Sequence, residues 1–264
     1  MLAQNVKYAA GESTWWAAIN EYADWTDTEF ASQKTSRSPI LGNLKASGRA
    51  LVEERANNPA AFDWRTRSPS ITTPVKNQAS CGSCWAFAST AVLESHYALY
   101  AKSKGLLVLA PQTLVNCASV PKTVTATSYV KLPEDSGAAL EIAISTVGPV
   151  AVNVAANWAI YGGGIFSGGC DTTACTLNHV VVAEGYSQPG ATDPEGYWTI
   201  RNSWGEGWGE KGYIRLSRKF DNTTFVDTSP ASGVACMPFP RTQIVGGESG
   251  LLFDMSYPTG MKDA

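Results

Sequence analysis

Gln78-Ala79-Ser80-Cys81-Gly82-Ser83-Cys84-Trp85-Ala86-Phe87 is the stretch from which the rest of the chain is read. No glycine or proline occurs from Trp85 to Lys104, and Ala88, Ala91, Val92, Ser95 and Leu99 fall at helical spacing as a small, apolar stripe. The pattern predicts a helix from Cys84 to Lys104, about 30 Å long at 1.5 Å per residue, ended by Gly105. Cys84 then lies in the first turn, where unpaired backbone N–H groups and the positive end of the helix dipole stabilise a thiolate. A sulfur so placed titrates below the roughly 8.5 of a free thiol and is a nucleophile wherever a base stands beside it.

Two histidines are available as that base. His96 follows Cys84 by twelve residues (96 − 84) on the same helix, which puts it about 18 Å along the axis and out of reach. His179 remains. Read alone, a histidine leading into Val180-Val181-Val182-Ala183 is more often a buried core residue than a catalyst. An imidazole can take a proton from the thiol and return it to a leaving amine near neutral pH.

The opening stretch is similar to the C-G-[SA]-C-[WY] signature of the papain/cathepsin L family of cysteine proteases. Three more stretches resemble that family in its order: Leu109-Ala110-Pro111-Gln112-Thr113-Leu114-Val115-Asn116-Cys117, Asn178-His179-Val180, and Arg201-Asn202-Ser203-Trp204-Gly205. Together they span most of residues 62 to 216. The resemblance implies an α+β fold of two lobes with a cleft between them, a helical lobe over about 75–125 and an antiparallel, barrel-like β lobe over about 126–264. It implies that Cys84 attacks the peptide carbonyl, that His179 is its base, and that Asn202 holds the second imidazole nitrogen under the cover of Trp204. Gln78, with the Cys84 backbone N–H, would form an oxyanion hole. Leu177 and Val180 would line an apolar pocket for the second residue before the scissile bond. No metal or other cofactor is needed for such chemistry.

Residues 1–60 differ in texture, with no cysteine and few aliphatics. Ala18-Ile19-Asn20-Glu21-Tyr22-Ala23-Asp24-Trp25-Thr26-Asp27-Thr28-Glu29-Phe30 resembles the family's inhibitory propeptide motif, with Asn20, Tyr22 and Asp24 at its key positions and Ala18 in place of a glycine. Its plainer reading is a helix begun by a Thr26-x-x-Glu29 capping box. A longer upstream propeptide helix is reduced to Gln4–Ala10, so the propeptide reads as truncated. By resemblance the linker from Ser32 to Asn58 would run through the cleft, with cleavage near Asn58 to Ala61 freeing the peptidase domain, 61–264.

The spacing departs from the family. Its histidine and asparagine lie roughly 130 to 150 residues beyond the nucleophile, whereas here 179 − 84 = 95 and 202 − 84 = 118. The shortfall falls between Cys117 and Val147-Gly148-Pro149, where the family has a Gly-rich strand that pairs with substrate and two half-cystines. Six cysteines leave five once Cys84 is set aside. By resemblance Cys170 pairs with Cys236 and Cys175 is left over. Cys81 and Cys117 lack their family partners and can join each other only if their Cα atoms come within about 6.8 Å.

Net charge −3 and a pI near 5.5 give no basic surface for nucleic acid, and the aliphatic run Leu106 to Ala110 is too short for a bilayer. Cysteine content and the sequon Asn222-Thr223-Thr224 favour an oxidising compartment, lysosomal, vacuolar or secreted, although Met1 to Gly11 carries no signal-peptide pattern. Two other motifs are turned aside by their context. Cys81-x-x-Cys84 lacks the βαβ surroundings of a redox pair, and Gly207 to Gly212, which spells a dinucleotide fingerprint, leads into the strand-like Tyr213 to Leu216 rather than a helix. The expected protein is a monomeric cysteine endopeptidase acting on peptides and proteins, held latent by its own propeptide in cis. The alternative is a catalytically impaired relative that binds or stores, because its substrate strand is missing.

Overall fold

The computed structural model describes residues 1–35, 58–101, 105–116, 123–171, 175–190, 193–233 and 240–263. The chain opens with helix α1 (Leu2–Ala9), strand β1 (Trp15–Ala17) and helix α2 (Asp27–Lys34). A reciprocal capping box starts α2: the Glu29 N–H donates to Thr26 Oγ1 at 3.2 Å and the Thr26 N–H to Glu29 Oε2 at 2.8 Å. Strand β2 (Ala61–Asp63) leads to the long helix α3 (Cys84–Tyr100), then to the short α4 (Pro111–Val115), whose proline sits where a missing N–H costs nothing. Strands β3 (Val124–Thr125) and β4 (Ser128–Lys131) precede α5 (Gly137–Thr146), capped by Ser136, whose hydroxyl accepts from the Ala139 N–H at 3.2 Å.

The second half is strand: β5 (Val150–Val154), β6 (Tyr161–Phe166), β7 (His179–Ser187), β8 (Tyr197–Arg201), β9 (Tyr213–Ser217), β10 (Thr224–Asp227), β11 (Gln243–Gly246), β12 (Met255–Thr259) and β13 (Lys262–Asp263). Nine strands form one sheet in the order β1-β6-β9-β8-β7-β5-β12-β4, with β2 also on β7. All pairs are antiparallel except β6 with β9, which run parallel at Ile165–Arg215 and Phe166–Leu216.

β7 is the axis of the molecule. Every one of its residues except Ser187 is buried, as a strand covered on both faces requires. It pairs with β5 over His179–Ala183, with β2 over Gly185–Ser187 and with β8 along its other edge, and both α3 and α5 pack on it. One core lies within the sheet half, around the buried Trp158, Trp198, Trp204 and Trp208. A second joins α3 to β7 and includes Cys84, Ala88, Val92, Leu177, Val180 and Val182.

The α+β architecture read from the sequence is the one observed, and the strand-like Tyr213 to Leu216 lies within a residue of β9 (Tyr213–Ser217). The lobes are less pure than expected, since α5 falls inside the β range and β1 and β2 join the sheet from outside it. Helix α3 stops at Tyr100, and Gly105 takes φ +72°, a left-handed turn that suits glycine. Between α4 and α5 the described residues hold only β3 and β4, and these pair with β13 and β12.

The disulfide is a correction. Cys170 pairs with Cys175, five residues on, with Cα atoms 4.7 Å apart, so Cys175 is not the leftover and Cys170 is not joined to Cys236. A short loop closes with little loss of chain freedom, and proximity in sequence delivers the partner first. Cys236 and Cys117 lie outside the described residues, as do linker residues 36–57, while Cys81 carries an exposed free thiol.

Candidate active site

The site is assembled where the helical and sheet halves meet. Residues 76–78 and 203–205 run side by side: the Gly205 N–H donates to the Lys76 carbonyl at 3.0 Å, the Gln78 N–H donates to the Ser203 carbonyl at 2.8 Å, and Asn77 bridges Trp204. This pairing carries the loop before α3 up to the end of β8. Cys84 begins α3 and is fully buried, its sulfur a thiol outside the disulfide, with its backbone N–H in the first turn. His179 begins β7, the strand on which α3 packs, and it is also fully buried.

The hydrogen bonds fix the tautomer of the imidazole. Asn202 Oδ1 accepts from the Ser203 N–H at 2.8 Å, so that side-chain atom is the oxygen. It lies 2.8 Å from His179 Nε2, which must therefore carry the proton and donate it. Nδ1 is left as the basic nitrogen, buried and without a hydrogen-bond partner. Trp204 stacks on the imidazole at 4.9 Å between centroids and 28° between planes, and Trp158 meets it edge-on at 6.3 Å. Burial in this apolar box pushes the His179 pKa down to about 4, the hydrogen bond that its Nε2 donates to Asn202 opposing the shift and the Lys34 ammonium adding to it.

Gln78 is held at both ends of its amide. Its Oε1 accepts from Ser203 Oγ at 2.6 Å, which leaves Nε2 to donate to the Cys81 carbonyl at 2.8 Å. Its other N–H meets the Lys34 carbonyl at 3.2 Å. Lys34, the last residue of α2, is 2% exposed; its Nζ donates to the Ala79 carbonyl at 2.9 Å and stands 4.7 Å from the Tyr22 ring centroid. Phe30, one turn earlier, sets its edge on Trp204 at 4.9 Å, and Tyr22 packs on the same indole at 6.1 Å. The N-terminal segment thus packs on the indole that stacks on the imidazole and engages the Gln78 amide.

Leu177 and Val180 lie in the apolar cluster that holds Cys84, together with Cys175 and Val245, and both are buried. Of the N-terminal motif residues, Asn20 donates to the Ala159 carbonyl at 2.8 Å and accepts from the Tyr22 N–H at 2.9 Å, while Asp24 is exposed. The sequence reading gave no role to Ser203 or Lys34. Ser203 lay inside a quoted motif and its hydroxyl was the available signal; Lys34 lay in the linker assigned to the cleft, with nothing local to single it out. Among the described residues no group of three or more His, Cys, Asp or Glu is placed to hold a metal ion.

A family model described as "Papain family cysteine protease" matches residues 58–123 and 118–234. The chain is 34% identical to a "Cathepsin L-like proteinase" of Phaedon cochleariae, over 84% of this chain and 80% of that one, and 31% identical to "Digestive cysteine proteinase 3" of Homarus americanus, over 86% and 82%. Among solved structures it superposes on "Recombinant stem bromelain precursor" with a TM-score of 0.73 and 29% identity, covering 98% of this chain and 87% of that one.

Proposed function

Because the chain belongs to the papain family of cysteine proteases, we propose that it is a cysteine endopeptidase in its latent form, with Cys84, His179, Asn202 and Gln78 as its machinery and residues 1 to about 60 as a cis-acting inhibitory segment. The observation that carries this reading is the His179 ring, held at Nε2 by Asn202 with its basic Nδ1 bare, on the strand against which the Cys84 helix packs.

In the mechanism, Nδ1 takes the thiol proton and the thiolate, favoured by the first turn of α3, attacks the peptide carbonyl. Negative charge on that oxygen is met by the Cys84 backbone N–H and by the Gln78 Nε2 that Lys34 now engages. His179 returns its proton to the leaving amine, and a water then releases the acyl group with the imidazole as base. Asn202 keeps the ring in the plane these transfers need, and the stacked Trp204 keeps water from the bond between them. Leu177 and Val180 supply an apolar wall for a substrate side chain. In the latent form Lys34 puts a carbonyl on the oxyanion donor, and its ammonium helps to lower the pKa of the base, so both halves of the machinery are affected at once. The digestive name of one relative supports release into a secreted or lysosomal space, and no helix among the described residues is long and apolar enough to cross a membrane.

The test is an epoxide probe that alkylates reactive thiols, applied after acid treatment to wild type, Cys84→Ser and His179→Ala. Labelling lost in both variants, with turnover of a dipeptidyl fluorogenic amide by wild type, is expected. Labelling without turnover would identify the binding or storage protein that the missing strand suggests.

A further inference from the structure

The N-terminal segment reaches the sheet through an unusual surface. β1 pairs with β6 in the register Trp15–Gly164, Trp16–Gly163, Ala17–Tyr161, and the partner strand offers Gly162-Gly163-Gly164 in succession. Three glycines weaken a strand interior, since each loses more backbone freedom on folding and packs no side chain. Here each clears room for the incoming chain. A Cβ on Gly163 would stand 2.3 Å from the Trp16 ring, one on Gly164 would stand 2.3 Å from the Thr14 carbonyl, and one on Gly162 would stand 2.7 Å from the Ala18 Cβ.

The ladder continues past both ends of β1: the Ile165 N–H donates to the Thr14 carbonyl at 2.9 Å and the Ala18 N–H to the Ile160 carbonyl at 3.0 Å. Successive side chains leave a strand on opposite faces. Trp15 accordingly packs on Phe166 at 4.9 Å and Tyr161 at 6.3 Å, while Trp16 lies over Gly163 and meets Tyr8 at 5.1 Å. The edge of β6 thus reads an extended segment of two adjacent aromatic residues followed by two small ones.

Once the inhibitory segment leaves, this edge loses its partner, and a sheet edge with free N–H and C=O groups is a template for another extended chain. We infer that the vacated β6 edge is a docking site, separate from the Cys84 cleft, for extended segments of protein substrates that carry adjacent aromatic residues. This deepens the endopeptidase reading and rests on it: proteins with such segments become a favoured substrate class, while short peptides, which cannot reach the edge, do not benefit. β1 itself shows the chemistry of the occupant, because it is the one ligand seated there.

The experiment uses activated wild-type enzyme and a synthetic peptide of residues 13–20, with an unfolded protein containing adjacent aromatics and a dipeptidyl amide as parallel substrates. The peptide is expected to lower kcat/KM on the protein at least fivefold by raising KM and to leave amide hydrolysis unchanged, and a peptide carrying Trp16→Ala is expected to do neither. Gly163→Val enzyme, where it folds, should show the same selective loss on the protein. Unchanged protein hydrolysis with the wild-type peptide overturns the docking site, and so does equal inhibition of both substrates, which would place the peptide in the cleft. An enzyme silent toward the amide as well removes the peptidase reading, and this inference with it.

Discussion

At the scale of single residues, the candidate site depends on atoms whose alternatives have been closed off. The Ser203 N–H fixes Asn202 Oδ1, which fixes the proton on His179 Nε2, which leaves Nδ1 basic. Asn202→Ala should therefore lower kcat far more than KM, because the ring loses its orientation and not its place. Gln78→Ala removes one oxyanion donor and should cost about 10²–10³ in kcat on the dipeptidyl amide. Ser203→Ala is the subtler case: it leaves every proposed reacting group present and removes only the 2.6 Å bond that aims Gln78. A drop of about tenfold in kcat, additive with nothing in the Gln78→Ala background, would show that the hydroxyl acts through the amide.

On the proposed reading, α2 is the element that governs latency. Its capping box starts it, and its last residue, Lys34, delivers a carbonyl to Gln78 and an ammonium to the Ala79 carbonyl. A hydrogen bond from a charged donor contributes about 1.5–3 kcal/mol. Lys34→Ala should accordingly raise epoxide labelling of Cys84 at neutral pH by about ten- to a hundredfold. Acid should act on the same element. With α2 seated, the His179 pKa is down to about 4, burial being the main cause and the Lys34 ammonium adding to it; lifting α2 takes that ammonium away, so the pKa rises from about 4 toward its ordinary value. The lifted form then binds the proton more tightly, so falling pH favours lifting, within the window between about pH 6.5 and pH 4. Hydrogen-exchange protection factors of residues 27–34, corrected for the pH dependence of intrinsic exchange, should fall across that window in a Cys84→Ser background, where no self-cleavage intervenes. His179→Gln should flatten the profile.

The whole molecule is tied across its two halves by a buried polar network just upstream of Gln78. Glu94 on α3 accepts from Thr73 Oγ1 and from the Leu109 N–H, both at 2.6 Å, and pairs with Lys76. Arg201 on β8 donates to Thr73 Oγ1 at 3.0 Å and the Pro74 carbonyl at 2.6 Å, and faces Glu184 on β7, which also accepts from Tyr213 Oη at 3.1 Å. Burial pushes the Glu184 pKa up, with Arg201 opposing the shift. Removing the cation strands that carboxylate, and breaking a buried pair costs about 3–5 kcal/mol. Arg201→Ala should lower Tm by about 6–20 °C in calorimetry, and Glu184→Gln in the same chain should restore part of the loss.

Sequence alone determined the elements whose signals are local. The glycine-free run after Cys84 declared a helix, the apolar run Val180-Val181-Val182-Ala183 marked the core beside His179, and Thr26 with Glu29 declared a cap, because each is read from residues adjacent or a few places apart in the chain. The motif order also carried the resemblance that proposed His179, Asn202 and Gln78. Tertiary structure alone decided what depends on distant segments meeting. It put Lys34 on Gln78, 44 residues away, laid Trp15 and Trp16 of β1 along Gly164 and Gly163, 149 and 147 residues downstream (164 − 15 and 163 − 16), and joined Cys170 to Cys175 where resemblance had chosen Cys236. No local pattern encodes such pairings, since a side chain's partner is chosen by the shape and unmet hydrogen bonds of a surface that exists only once the chain has folded.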